Sequence, residues 1–175
     1  GAAASGGYYI SCNASHIVAE PTTLTGSIGI FGMIPDVSEL MTEKIGMRYD
    51  NVKTNKHSDF GTTSRPMNEE ECRIMQTMIE RGYDLFTRRV AEGRNLSQDS
   101  VKAIAEGRVW TGEQAKRIGL VDELGDLQTA IKAAARLAKS KEYVVDYYPA
   151  PESWIESLMN RGSAAPDFMD GQMQT

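Results

Sequence analysis

The chain opens on Gly1-Ala-Ala-Ala-Ser-Gly-Gly-Tyr-Tyr-Ile10, and no other stretch constrains the fold as much. Six Gly or Ala residues surround a single hydroxyl, that of Ser5. Side chains this small let one backbone, or a substrate, come close to another. A helix beginning just after Ser5 would aim its unpaired N–H groups and positive dipole end at the serine. Gly6 would then offer an unhindered N–H beside the serine oxygen. Acyl transfer needs that arrangement, a nucleophile with an oxyanion donor on the next residue. Ser5 also reads as an ordinary N-cap ahead of helix formers. Paired glycines in a first helical turn cost roughly 1 kcal/mol each relative to alanine, and a cap alone gives no reason for them.

Length and charge narrow the alternatives. A chain of 175 residues suggests one domain with a sizeable core. Its net charge of −5 argues against a nucleic-acid surface, which needs clustered Lys and Arg. No apolar run reaches membrane-spanning length, and no signal peptide is visible. Cys12 and Cys72 have no partner at metal-ligand spacing and read as helix and core residues. No cofactor or metal is expected. The absence of an initiator Met and the opening inside a motif suggest a fragment, with any anchor lying in upstream sequence.

Taken in order, Gly6 to about Ser15 predicts a short helix burying Tyr8, Tyr9 and Cys12. His16–Ala19 predicts a strand ending before Pro21. Residues 22–26 read as a polar turn, and Ser27–Ile34 as a buried strand whose glycines mark a bulge or a close backbone approach. Asp36 to Ile45 predicts a helix with a box-like start at Asp36 and Glu39. Met47–Thr54 predicts a strand, and Lys56–Arg65 a polar loop. The longest helix starts at an Asn68–Glu71 capping box, lines up Met75, Ile79, Tyr83, Phe86 and Val90, and ends near Gly93. Ser97 caps a short helix to Gly107. Val109–Trp110 form a small strand, and Thr111 with Gln114 caps a helix ending at Gly119. Leu120–Val121 read as a strand, Asp126 caps an alanine-rich helix to Lys139, and Tyr143–Tyr148 read as the last strand. A short helix is expected around Trp154–Met159, and 161–175 as disordered. Alternating helices and short strands make the class α/β.

Two stretches, taken together, carry a resemblance. One is Ala4-Ser5-Gly6-Gly7-Tyr8-Tyr9-Ile10-Ser11 followed by Thr25-Gly26-Ser27-Ile28-Gly29. The other is Gly107-Arg108-Val109-Trp110-Thr111-Gly112-Glu113-Gln114-Ala115-Lys116 through Gly119-Leu120-Val121-Asp122-Glu123-Leu124-Gly125. In this order and at this separation they resemble the signal peptide peptidase A (protease IV) family of bacterial serine proteases over roughly Gly1–Tyr148. The first motif alone is also similar to the serine turn of Clp proteases.

The resemblance implies a crotonase/Clp protease-like fold, incomplete here at its N-terminus, and a Ser–Lys dyad. It implies homo-oligomers at the bacterial inner membrane, with the catalytic part on the periplasmic side and the anchor absent from this chain. The implied substrates are cleaved signal peptides or other apolar peptides. Ser5 matches the nucleophile, Gly6 the residue whose N–H helps form the oxyanion hole, and Ser27 a serine contacting the dyad lysine. The second oxyanion donor falls upstream. On this reading residues 1–148 are the serine-bearing protease domain and 149–175 a partly disordered extension.

The lysine is where the sequence departs from the family pattern. In short members it precedes an Asp, but Ser58 stands before Asp59 here. Long members have two tandem halves, the first supplying the lysine, so this chain resembles the C-terminal half of a long member. Lys56 substitutes only if its loop shifts, and Lys53 and His57 are further candidate bases for Ser5. An exposed lysine in a polar loop stays charged and is a poor base. His16 reads as an edge or core histidine, and Glu69, Glu70 and Glu71 as favouring the helix dipole. Two other function classes stay open: a crotonase-type acyl-CoA enzyme, disfavoured by the lack of a carboxylate beside Gly6, and a non-catalytic module of a ring-shaped protease.

Overall fold

The computed structural model describes residues 1–146 and 148. Short strands and helices alternate as the α/β class requires. The elements are β1 (Ala2–Ala4), α1 (Gly6–Ser11), β2 (Val18–Ala19), β3 (Leu24–Gly26), a π-helical turn (Leu40–Ile45), α2 (Glu69–Arg94), α3 (Gln98–Ile104), β4 (Val109–Thr111), α4 (Gly112–Arg117), β5 (Glu123–Leu124) and α5 (Leu127–Leu137). One compact unit runs over Gly1–Ala138, and a second begins at Lys139.

Two small sheets organise the first unit. In one, β3 lies between β1, its parallel neighbour, and β4, which runs antiparallel to it; Ala3 stands opposite Thr25, and Thr25 opposite Trp110. In the other, β2 pairs in parallel with β5. Parallel pairs need long crossovers, and here α1, the turn after it and β2 carry the chain from β1 to β3. The core gathers Tyr8 of α1 and Cys12 just after it, Phe86 and Val90 of α2, Val101 of α3, Ala115 of α4, and the loop residues Ile28 and Leu120. Cys12 is buried and Cys72 exposed.

Helix starts follow their capping residues. Asn68 and Glu71 exchange both bonds of a capping box at α2, and Thr111 and Gln114 do the same at α4. Ser97 and Asp126 accept from the third helical N–H of α3 and α5. Each satisfies N–H groups that a helix start leaves unpaired.

Several expected elements are absent or displaced. Ser27–Ile34 is not a strand: pairing continues only through Ser27 N–H to Arg108 O and Gly107 N–H to Ile28 O, and Ser27 turns to φ 48°. The strand lies one step earlier, at Leu24–Gly26, where a turn was expected. Gly29 does mark a close backbone approach, since a Cβ there would stand 2.7 Å from Gly107 N. The helix expected over Asp36–Ile45 is present but irregular: Ser38 and Glu39 are helical and run into the π-helical turn, Asp36 accepts from Ser38 N–H and Oγ–H at its start, and Glu39 makes no cap bond. Neither Met47–Thr54 nor Tyr143–Asp146 pairs as a strand. Leu120 and Val121 are buried core residues ahead of β5, not a strand. Helix α1 stops at Ser11, and Tyr9 is left partly exposed. The helix expected around Trp154–Met159 and the disorder expected over 161–175 lie outside the described residues.

Candidate active site

Ser5 is the one residue between β1 and α1, so both elements fix it. Its N–H donates to Gly26 O at 2.9 Å, extending the β1–β3 ladder by one bond. Its carbonyl accepts from Tyr9 N–H at 2.8 Å, the first bond of α1. Squeezed between a strand end and a helix start, it takes φ 52° and ψ −116°. That region is costly for a residue with a Cβ, on the order of 1–3 kcal/mol, and persists only where surroundings impose it. The Ser5 side chain makes no cap hydrogen bond to α1. The cap reading of this serine is therefore corrected: the strained turn carries the hydroxyl away from the position a cap occupies, and it stays exposed.

The elements around Ser5 are tied down from behind. Thr25 Oγ1 donates to Ala3 O at 2.7 Å. Ser11 Oγ donates to Gly7 O at 2.7 Å inside α1. Tyr8 is buried, and its hydroxyl donates to Leu120 O at 2.8 Å; burial pushes this phenol well above its ordinary range, so it stays neutral. Burial likewise raises the Cys12 thiol, which packs as a small apolar group. Arg94 holds the neighbouring loop through Gly119 O at 3.1 Å and Asp122 at 2.5 Å. Burial pushes the Asp122 carboxyl up, but hydrogen bonds from Arg94 and Ile17 N–H outweigh it and leave it below the usual range.

Two hollows meet at Ser5. The larger, about 480 Å³, is bounded by Ser5, Ser27, Ile79, Glu80, Tyr83 and Glu106 among others. The smaller, about 310 Å³, is bounded by Ser5, Gly6, Tyr9, Gly82, Leu85 and Phe86. Gly29 and Ile30 border both. A Cβ on Gly6 would meet nothing within 4 Å, so this glycine leaves open space at the helix end. Helix geometry directs the unpaired first N–H groups of α1 to the same end.

Ser5, Gly6 and Ser27 are thus brought together, Ser27 within the same hollow as Ser5. Lys53, Lys56 and His57 are not: none of them borders either hollow. Lys53 pairs with Asp59 at 2.5 Å, Lys56 pairs with Glu70, and His57 Nε2 stands 3.2 Å from Glu70 Oε1. His16 pairs with Glu123 at 2.9 Å, at the β2–β5 sheet. No lysine or histidine borders the hollows among the described residues. No cluster of three or more His, Cys, Asp or Glu at metal-holding distance occurs among them either.

Sequence reasoning missed Ile30, Gly82, Glu80 and Glu106. Gly82 carried a signal, a glycine in the middle of a 26-residue helix, where it costs about 1 kcal/mol against alanine. Glu106 and Gly107 take φ 58° and 75°, a turn that carries a carboxylate to the rim. Glu80 and Glu106 thus share the larger hollow with Ser5, while the smaller hollow, which Gly6 borders, is lined by no carboxylate among the described residues.

A mixed α/β chain that holds a strained, uncapped serine at a helix N-terminus beside two hollows has the layout of a nucleophilic serine hydrolase. Comparison with known proteins narrows that class. The profile of Peptidase family S49 matches residues 1–141, and the chain belongs to this family. It is 45% identical to Protease 4 of Salmonella typhi over 160 residues, 91% of this chain and 26% of that protein. It is 43% identical to Protease 4 of Haemophilus influenzae over 143 residues, 80% of this chain and 22% of that protein. The chloroplastic serine protease SPPA of Arabidopsis thaliana is 39% identical over 137 residues, 78% of this chain and 20% of that protein. The chain therefore spans only 20–26% of the length of these relatives.

Proposed function

We propose that the chain is the serine-bearing part of a serine protease that hydrolyses apolar peptides, cleaved signal peptides among them, through a Ser–Lys dyad. The observation that carries the reading is Ser5 itself, held at φ 52° with no cap bond, next to a glycine that opens the end of α1. Ser5 Oγ attacks the peptide carbonyl and forms a C–O bond, while a neutral base takes its proton. The Gly6 N–H donates to the oxyanion. Collapse breaks the C–N bond, the base returns the proton to the departing amine, and water then hydrolyses the ester.

Ser27 shares the hollow and orients the base. That base is a lysine supplied from outside this chain, because Lys53 and Lys56 are already ion-paired elsewhere. The proposed fold is crotonase/Clp-like, and the proposed assembly a homo-oligomer at the bacterial inner membrane, anchored by sequence outside this chain. No described helix is long and apolar enough to cross a membrane.

A crotonase-type acyl-CoA enzyme remains a second reading, because Glu80 and Glu106 border the hollow at Ser5. It gives no reason for a strained serine. Hydrolysis of an apolar fluorogenic peptide by this chain and by its natural full-length protein, each beside Ser5→Ala, tests the proposal. The expected result is activity in the full-length protein that Ser5→Ala abolishes with folding kept. Unchanged turnover overturns it, and saturable acyl-CoA binding by calorimetry would favour the second reading.

A further inference from the structure

The two hollows at Ser5 share Ile30, and Ile30 rests on Gly82. A Cβ on Gly82 would stand 2.6 Å from Ile30 Cδ1, closer than atoms tolerate. Nothing else lies within 4 Å of that Cβ except Ile30 Cγ1. Gly82 borders the smaller hollow, along with Tyr9, Leu85 and Phe86, and these side chains give it an apolar lining. Helix α2 carries good helix formers on either side, so a glycine at its middle runs against local propensity. The close seat of Ile30 accounts for it.

From this we propose that the Ile30–Gly82 contact sets the size of the side chain admitted beside Ser5. The inference deepens the peptide-hydrolase reading and names its specificity determinant. With Gly82 as it is, Ile30 lies flat on α2 and leaves the smaller hollow open to a medium apolar side chain. An added methyl at Gly82 displaces the far end of Ile30, a flexible group, so the fold survives while the hollow narrows. Shortening Ile30 removes the shared wall and joins the two hollows.

The test is calorimetric binding of N-acylated product peptides ending in Ala, Leu or Phe, whose terminal carboxylate can face the end of α1. The full-length protein, its Gly82→Ala variant and its Ile30→Ala variant are compared, with thermal unfolding as the folding control. Gly82→Ala is expected to lower the Leu-to-Ala affinity ratio about tenfold, the scale on which apolar pockets discriminate methylenes. Its Tm should be kept or raised. Ile30→Ala is expected to raise the Phe-to-Leu ratio. Equal ratios in all three folded proteins, or no binding of any peptide to the unsubstituted protein, overturn the proposal. The outcome is separable from the nucleophile reading. A shifted ratio with hydrolysis surviving Ser5→Ala leaves the size determinant standing and removes the nucleophile. Unchanged ratios with hydrolysis lost do the reverse.

Discussion

The segment around Ser5 and the segment from Ile30 to Val52 have similar apolar content and opposite fates. Around Ser5, Tyr8, Cys12 and Ile28 are 1%, 0% and 1% exposed. From Ile30 to Val52, Phe31, Met33 and Val52 are 90%, 86% and 100% exposed, and the segment's only regular element is the π-helical turn. Burial needs a partner as well as an apolar side chain. The first segment finds partners in α2, α3 and the β3–β4 pair. The second finds few within the described residues. Order at Ser5, including its strained backbone, is thus supplied by neighbours that the second segment lacks.

The largest effect expected from this contrast is in the core. Phe86→Ala, which empties a side chain only 4% exposed, should destabilise by about 3–5 kcal/mol in urea unfolding. Phe31→Ala and Val52→Ala should stay within about 0.5 kcal/mol of the unsubstituted chain. A loss above about 2 kcal/mol at Phe31 would mean that this segment is buried against a partner after all.

Acid should act next, at the start of α2. Arg65 donates to both Glu71 oxygens and to Asp59, and Asn68 N–H donates to Glu71. The Arg65 guanidinium and then that N–H hold the Glu71 carboxyl at about 2, against an ordinary 4.5. Asp59 is held low in the same way by Arg65 and Lys53. A lowered carboxylate contributes its full stability above the ordinary value and loses it as pH falls through the folded one. The stability gap between the chain and Glu71→Gln should therefore be constant above pH about 4.5 and shrink from there toward pH 2. A gap unchanged at pH 3 would contradict the assignment.

The smallest expected effect is a gain. Ser5→Gly should stabilise the fold by about 1 kcal/mol, since glycine takes φ 52° without the cost a Cβ brings. No gain would mean that the turn is not strained.

The parts of the fold that sequence makes legible are those written in local chemistry. The Asn68–Glu71 and Thr111–Gln114 boxes and the Ser97 and Asp126 caps need only residues three positions apart. Ser5 and Gly6 stand out as a hydroxyl among small residues, whereas Ser27 enters only through the family resemblance; the fold brings it to the same hollow as Ser5. Ser27–Ile34 and Met47–Thr54 were misread because apolar runs look alike whether or not a neighbour covers them. The stripe of α2 shows the same limit. Val90 enters the core, Phe86 and Tyr83 join the core and also border a hollow at Ser5, and Ile79, on the same spacing, borders the larger hollow. Periodicity gives the face and not its use. Gly82 stands out as a mid-helix glycine, but its use stays hidden for a related reason, since its partner Ile30 lies 52 positions earlier, outside any regular element.

Whether Ser5 is a nucleophile or a cap is decided by treating the full-length protein with a fluorophosphonate and locating the adduct by peptide mass spectrometry. A nucleophilic Ser5 gives a single modification on the peptide that carries it, blocked by an apolar peptide substrate and absent in Ser5→Ala. Modification at another serine, with Ser5 untouched and hydrolysis inhibited, rules Ser5 out as the nucleophile.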